Sequence, residues 1–107
     1  MNLLFICSRN QWRSPTAEKI FRSQVHKTKS AGTEKSARIK VNMKLINWAD
    51  LIFVMEKRHK QRLFDKFNDL VMKKPIIILE IPDQYQYMDE ELIECLQLSV
   101  NPYLEKK

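Results

Sequence analysis

Residues 2–15, Asn-Leu-Leu-Phe-Ile-Cys-Ser-Arg-Asn-Gln-Trp-Arg-Ser-Pro, decide the fold. Asn2–Cys7 (NLLFIC) is apolar without alternation and far too short to cross a bilayer. Such a run reads as a strand covered on both faces, the kind found in parallel sheets. Ser14 followed by Pro15 reads as a helix start, with Ser14 as cap and Pro15 in the first turn. Ala17, Ile20, Phe21 and Val25 then fall on one helical face. A buried strand, a short polar loop and a helix N-terminus therefore follow one another within a few residues.

Working outward, the same alternation recurs. A short strand over Lys27–Ser30 ends at Ala31-Gly32-Thr33, where the single glycine of the chain suits a tight turn. Leu45 and Trp48 give helical spacing between Asn42 and Trp48, and Leu51–Met55 (LIFVM) is a second buried strand. Glu56–Phe67 is a basic amphipathic helix with Leu63, Phe64 and Phe67 on its apolar side. Pro75 opens a third strong strand, Ile76–Ile81. The last helix spans Asp89–Ser99 and carries Leu92, Ile93, Leu96 and Leu98. Strands alternating with helices predict an α/β fold, a parallel sheet flanked on both faces with right-handed crossovers. Ligands in such sheets bind beyond the carboxyl ends of the strands. Cys7, Glu56 and Asp83 all lie at or just past such ends.

The 107 residues are enough for one domain with one modest core, and no linker, repeat or low-complexity segment divides residues 1–107. Apolar residues make up 44% and charged residues 30%, ordinary for a soluble globule. No signal peptide and no bilayer-length apolar run is visible, so the expectation is a cytoplasmic protein with no membrane partner. Cys7 and Cys95 do not make a disulfide framework, and no Cys/His pairing has zinc spacing. The net charge of +6 fits an acidic or phosphorylated partner, with nucleic acid one possibility. A merely lysine-rich solvated surface is the plainer explanation.

The stretch from Cys7 to Pro15 carries the chemistry. A turn between strand and helix aims successive backbone N–H groups inward, where they hold an anion together with the helix dipole. Arg13, six positions after Cys7, closes the ring and can grip two phosphate oxygens at once. The same positive surroundings favour a thiolate and make Cys7 a competent nucleophile. Ser14 can donate to that thiolate, and Asn10 tolerates left-handed backbone angles within the loop. The other loop residues are Ser8, Arg9, Gln11 and Trp12. Displacing an alkoxide or phenoxide needs a proton donor, and freeing the cysteine needs a base for water. Asp83, after the last strand, is the candidate for both. Asp89 is the fallback acid, although its place at a helix start makes it a cap.

The string Cys7-x-x-Asn10-x-x-Arg13-Ser14-Pro15, between strand and helix, resembles the nucleophile loop of the low-molecular-weight protein tyrosine phosphatases. Ser30-Ala31-Gly32-Thr33, Ala49–Met55, His59 and Ile81-Pro82-Asp83 also resemble stretches of that family, in the same order. The resemblance implies a three-layer sandwich with a four-stranded parallel sheet and a cysteinyl-phosphate mechanism without metal or other cofactor. Cys7 would be the nucleophile, Arg13 the phosphate clamp and Asp83 the general acid, with phosphotyrosine protein or a small phosphomonoester as substrate. It also makes Tyr85 or Tyr87 a wall of the cleft, while Trp12, inside the loop, is expected at the cleft mouth. The chain departs from the family in several places. Typical members are longer between Gly32 and the helix leading to Trp48. Arg9 stands where glycine is usual, Trp12 replaces a second loop cysteine, Gln84 replaces a proline, and Ser36 stands near the position of a loop-bracing histidine.

Two rival functions remain open at this level. An arsenate reductase would need a resolving cysteine, and Cys95 lies among apolar residues where a structural role is expected. A phosphate- or nucleic-acid-binding module, or a nucleotide or RNA phosphatase, would use Arg9, Trp12, Lys57, Arg58, His59, Lys60 and Arg62 as a basic rim. Otherwise His26 and His59 read as surface or helix-packing histidines, and Trp48 as core. The sequence is silent on oligomeric state.

Overall fold

The computed structural model describes residues 1–104. Four strands, β1 (Asn2–Cys7), β2 (Lys27–Gly32), β3 (Leu51–Val54) and β4 (Ile76–Ile78), form one parallel sheet in the order β2-β1-β3-β4. Helices α1 (Arg13–Phe21), α2 (Met43–Trp48), α3 (Lys57–Val71) and α4 (Glu90–Leu104) lie between and after the strands. The expected α/β sandwich is therefore present, with its four parallel strands.

The period of two in each strand sorts the core into two halves. Leu3, Phe5, Cys7, Leu51, Phe53 and Met55 face α1 and α4, meeting Ala17, Phe21, Leu92, Leu96 and Val100. Leu4, Ile6, Ile52 and Val54 face the other way, onto Ile46 of α2 and Leu63 and Val71 of α3. This double burial is why NLLFIC and LIFVM run apolar without alternation. Phe5 anchors the first half, stacked on Phe21 at 5.6 Å and on Phe53 at 5.2 Å between ring centroids.

Several boundaries differ from the sequence expectation. Helix α1 stops at Phe21, so Val25 is exposed rather than part of an apolar face. β4 stops at Ile78 because Glu80 adopts a φ of 57°, yet Leu79 N–H and Ile81 N–H still donate to Val54 O and Met55 O. α3 runs past Phe67, which takes non-helical angles and kinks it, and ends at Val71, buried in the second core. α4 continues past Ser99, with Val100 buried and Tyr103 packed edge-on against Phe53, while Leu98 faces solvent. Trp48 is half-buried against the second core, under the Lys29 ammonium. Asn42, not predicted as a cap, accepts the Leu45 N–H and starts α2.

The chain leaves β1 toward β2 on one side, whereas β3 lies on the other. The loop after β1 thus sits at the switch point of the sheet, where ligand crevices form in this class of fold.

Candidate active site

Between Cys7 and Arg13 the chain must turn from the sheet into α1, and Asn10 makes the turn possible at φ 58°. Its backbone N–H donates to Cys7 Sγ at 3.2 Å. Its side-chain Nδ2 donates to Ser14 Oγ at 2.9 Å and to Ser30 Oγ at 2.8 Å. Since Nδ2 can only donate, both hydroxyls accept from it and keep their own protons for other partners. Ser30 gives its proton to the Glu18 carboxylate, which Arg22 also contacts at 3.1 Å. Ser14 Oγ lies 2.9 Å from Cys7 Sγ and 3.4 Å from Ala31 O, and its one proton can go to either. Asn10 thus reaches the sulfur directly through its N–H and, by way of the Ser14 hydroxyl, through its side chain.

Ser14 is consequently not the helix cap. The N-cap position falls on Trp12, without a side-chain cap bond, and the Ser14 hydroxyl is turned inward. The N–H groups of Ser8, Arg9, Gln11 and Trp12 meet no acceptor among the described residues. Together with the start of α1 they form a concavity that an anion satisfies.

Arg13 is 2% exposed and is held from behind. Its Nη1 donates to Ile81 O at 2.7 Å and to the Glu56 carboxylate, and its Nε lies 3.8 Å from Asp83 Oδ1. A buried guanidinium is tolerable only with such partners. Burial opposes the charge on Glu56, but hydrogen bonds from Arg13 and Arg58, and their charges, hold its carboxyl below the ordinary range. Arg58 Nε reaches Glu56 Oε1 at 3.1 Å.

Of the two roles expected of His59, surface or helix packing, the surface one fails, because the ring is packed into the start of α3. It is fully buried, and its Nδ1 accepts the Glu56 N–H at 3.0 Å. The neutral ring therefore carries its proton on Nε2, which donates to Ser8 Oγ at 2.9 Å. Burial first, then the charge of Arg13, lowers its pKa from 6.5 to about 4. Its side chain takes the place that Glu or Gln fills in a capping box, reaching back to the N-cap N–H of Glu56. That position, third in a helix beginning just past a strand end, was the one available clue in the sequence. Ser36, near where the resemblance expects a bracing histidine, is exposed.

A strap after β2 closes the outside of the loop. Thr33 N–H and Glu34 N–H donate to Cys7 O and Ser8 O, each at 3.0 Å, and Arg38 donates through N to Arg9 O and through Nε to Asn10 O. Gly32 makes this approach possible by its lack of a side chain rather than by a left-handed turn. A Cβ there would lie 2.5 Å from Ser8 O and 2.6 Å from Ala37 Cβ.

Cys7, Arg13 and Asp83 line one cleft of about 260 Å³, with Ser8, Arg9, Gln11 and Trp12 from the loop and Glu34 and Arg58 at its edge. Asn10 and Ser14 are buried behind it. Trp12 is 42% exposed at the cleft, whereas neither tyrosine lines it. Tyr85 packs against the first core with its hydroxyl 3.7 Å from Cys95 Sγ, and Tyr87 lines a neighbouring groove. The two are carried away because the chain turns after Asp83 to reach α4. Asp89 accepts the Glu91 N–H at the start of α4 and acts as a cap. Of the proposed basic rim, Arg9 pairs with Glu34 at 3.5 Å, Arg58 pairs with Glu56, and His59 is buried. Among the described residues no cluster of His, Cys, Asp or Glu could hold a metal ion, and no helix is long and apolar enough to cross a membrane.

Residues 2–47 match the family model of low molecular weight phosphotyrosine protein phosphatases. No curated protein sequence matches the chain. Among solved structures, the low molecular weight protein tyrosine phosphatase of T. tengcongensis aligns with a TM-score of 0.78 at 21% identity, covering 100% of this chain and 99% of that one. The tyrosine phosphatase Wzb of Escherichia coli K30, in complex with phosphate, aligns at 0.76 and 23% identity over 97% and 96% of the two chains. The arginine phosphatase YwlE of Geobacillus stearothermophilus aligns at 0.69 and 18% identity over 97% and 94%. The resemblance drawn from the loop is thus borne out over the first part of the sequence and in the fold of the whole.

Proposed function

We propose that this chain, which carries the fold of the low-molecular-weight phosphatases and matches their family model over residues 2–47, is a single-domain, cysteine-dependent phosphatase acting on phosphate monoesters. The observation that carries the reading is the convergence on one cleft. Cys7 Sγ receives the Asn10 N–H and faces the Ser14 hydroxyl, the buried Arg13 stands beside it, and Asp83 lies at the edge.

In this reading the substrate phosphate enters the concavity of loop N–H groups and is gripped by Arg13. Nη1 is already committed to Glu56 and Ile81, so Nε and Nη2 present the fork to two phosphate oxygens. Cys7 Sγ attacks phosphorus, the S–P bond forms, and the ester P–O bond breaks as Asp83 gives its proton to the leaving oxygen. Water then attacks phosphorus and passes a proton to the Asp83 carboxylate. The S–P bond breaks, phosphate leaves, and Ser14 stabilises the returning thiolate. Charge develops on the equatorial oxygens, where the fixed N–H groups and Arg13 are aimed, and this preorganisation supplies the main rate gain.

Trp12 at the cleft supports a flat leaving group, with phosphotyrosine as the first substrate class. A second reading, hydrolysis of phosphoarginine, is favoured by the Glu34 carboxylate at the cleft edge, which can accept from a guanidinium, and by the structural likeness to an arginine phosphatase. Hydrolysis of para-nitrophenyl phosphate and of phosphoarginine, each with EDTA, separates them when wild type, Cys7→Ser and Asp83→Asn run side by side. Metal-independent, vanadate-sensitive turnover lost in Cys7→Ser is expected. A folded wild type that binds phosphate but hydrolyses neither compound would replace this reading with that of a phosphate-binding module.

A further inference from the structure

On the side of the strap away from the catalytic loop lies a pocket of about 380 Å³, between Thr33–Val41 and α3. Four cations surround it, Lys35, Lys40, Arg62 and Lys66. The one acid in its lining, Asp65, already accepts a hydrogen bond from Gln61 at 3.0 Å. Lys40 and Lys66 line the same pocket, and neither is paired with a carboxylate among the described residues. The charge of the neighbouring Lys66 lowers the Lys40 pKa below the ordinary ammonium value. Folding therefore sets two ammonium groups against each other at the edge of a concave surface, a repulsion that an anion relieves.

The lining is not only cationic. Val41 and Leu63, 5% and 1% exposed, belong to the second core, and Phe67 stands beside them at the kink of α3. Thr33 completes the lining, with its hydroxyl oxygen closed to solvent. Cations at the edge and an apolar floor together call for a molecule with an anionic end and a flat apolar body. The volume lies at the small end of ligand pockets, which suits one small molecule rather than a segment of polymer.

We propose that this pocket is a second anion site, separate from the catalytic cleft, which takes a phosphorylated small molecule of the nucleoside-diphosphate class. The diphosphate meets Lys40, Lys66 and their two neighbours, and the base lies over Val41, Leu63 and Phe67. The site does not depend on the catalytic reading, since none of its residues lines the cleft.

Adenosine diphosphate is titrated into the Cys7→Ser protein while backbone amide shifts are followed by NMR. Removing Cys7 prevents turnover, and shift positions tell the two sites apart. Saturable shifts at Thr33, Lys40, Val41, Leu63 and Phe67 are expected. Lys40→Ala/Lys66→Ala should weaken that binding at least tenfold, about the loss of one charge-assisted hydrogen bond. Both lysines are exposed, so the variant keeps its fold. Shifts confined to Ser8–Arg13 would overturn the proposal, as would unchanged affinity in the double variant. Inorganic pyrophosphate binding as tightly as the nucleotide would also overturn it, because the apolar floor would then contribute nothing.

Discussion

Replacing His59 by glutamine should change the way stability depends on pH, because a neutral imidazole is built into the support of the loop. The folded ring has its pKa lowered from 6.5 to about 4 by burial and by Arg13. The unfolded chain titrates near 6.5 and so binds more protons than the folded one between those values. Stability from this group is therefore fully present above pH 6.5 and is lost as pH falls toward 4. At 1.36 kcal/mol per pKa unit the loss is about 3 kcal/mol. For a domain of this size that corresponds to roughly 10 °C or more in melting temperature. Glutamine at position 59 can still reach back to the Glu56 N–H as in an ordinary capping box, but it gives up the bond to Ser8. It should cost about 1–2 kcal/mol at pH 7 for that bond and for imperfect packing. The carboxylates titrate alike in both proteins, so the difference between the two curves isolates the histidine. Thermal unfolding by circular dichroism from pH 7.5 to 4 should show the gap close and then reverse in favour of His59→Gln. A gap that stays constant across that range would refute the assignment of a buried neutral ring.

Three further outcomes follow from the loop. Gly32→Ala forces a Cβ against Ser8 O and should cost about 1–3 kcal/mol, with weaker phosphate binding measured by calorimetry; unchanged affinity would mean the strap moves freely. Asn10→Ala removes both side-chain bonds and puts alanine, less tolerant of left-handed angles than asparagine, at φ 58°, for a loss of about 2–4 kcal/mol by chemical denaturation. The same variant should alter the rate at which iodoacetamide alkylates Cys7, and a native rate would count against the hydrogen-bond chain. Trp12→Ala should raise the KM for an aryl phosphate severalfold more than it weakens inorganic phosphate binding; equal effects would remove the tryptophan from substrate contact.

Much of the fold was legible because its decisive pieces are local. A strand buried on both faces has to be apolar throughout, and NLLFIC and LIFVM show that without any partner in view. The loop was legible for the same reason, since Cys7, Asn10 and Ser14 are neighbours in sequence and bond one another within it. What could not be read depends on distant chain. His59 meets Ser8 from 51 residues away, and nothing near it in the sequence announces a buried partner. Glu56 clamps Arg13 across 43 residues, so its position past a strand end was visible but its use was not. Gly32 was seen as a turn, whereas its space is taken by Ser8 O and Ala37. Ser14 had the identity and position of a helix cap, and only the folded loop shows its hydroxyl turned to the sulfur. Tyr85 was placed on the cleft by analogy, but the path of the chain into α4 takes it to Cys95.

The central claim is that phosphate passes through Cys7. It is tested most directly by acid-quenching the Asp83→Asn protein during turnover of para-nitrophenyl phosphate and mapping the label by mass spectrometry. With the leaving group a good one and the base for water removed, a phosphoryl group should accumulate on the peptide holding Cys7 and be absent from Cys7→Ser. Phosphate release at the wild-type rate with no label on Cys7, or a label on another residue, would contradict the account.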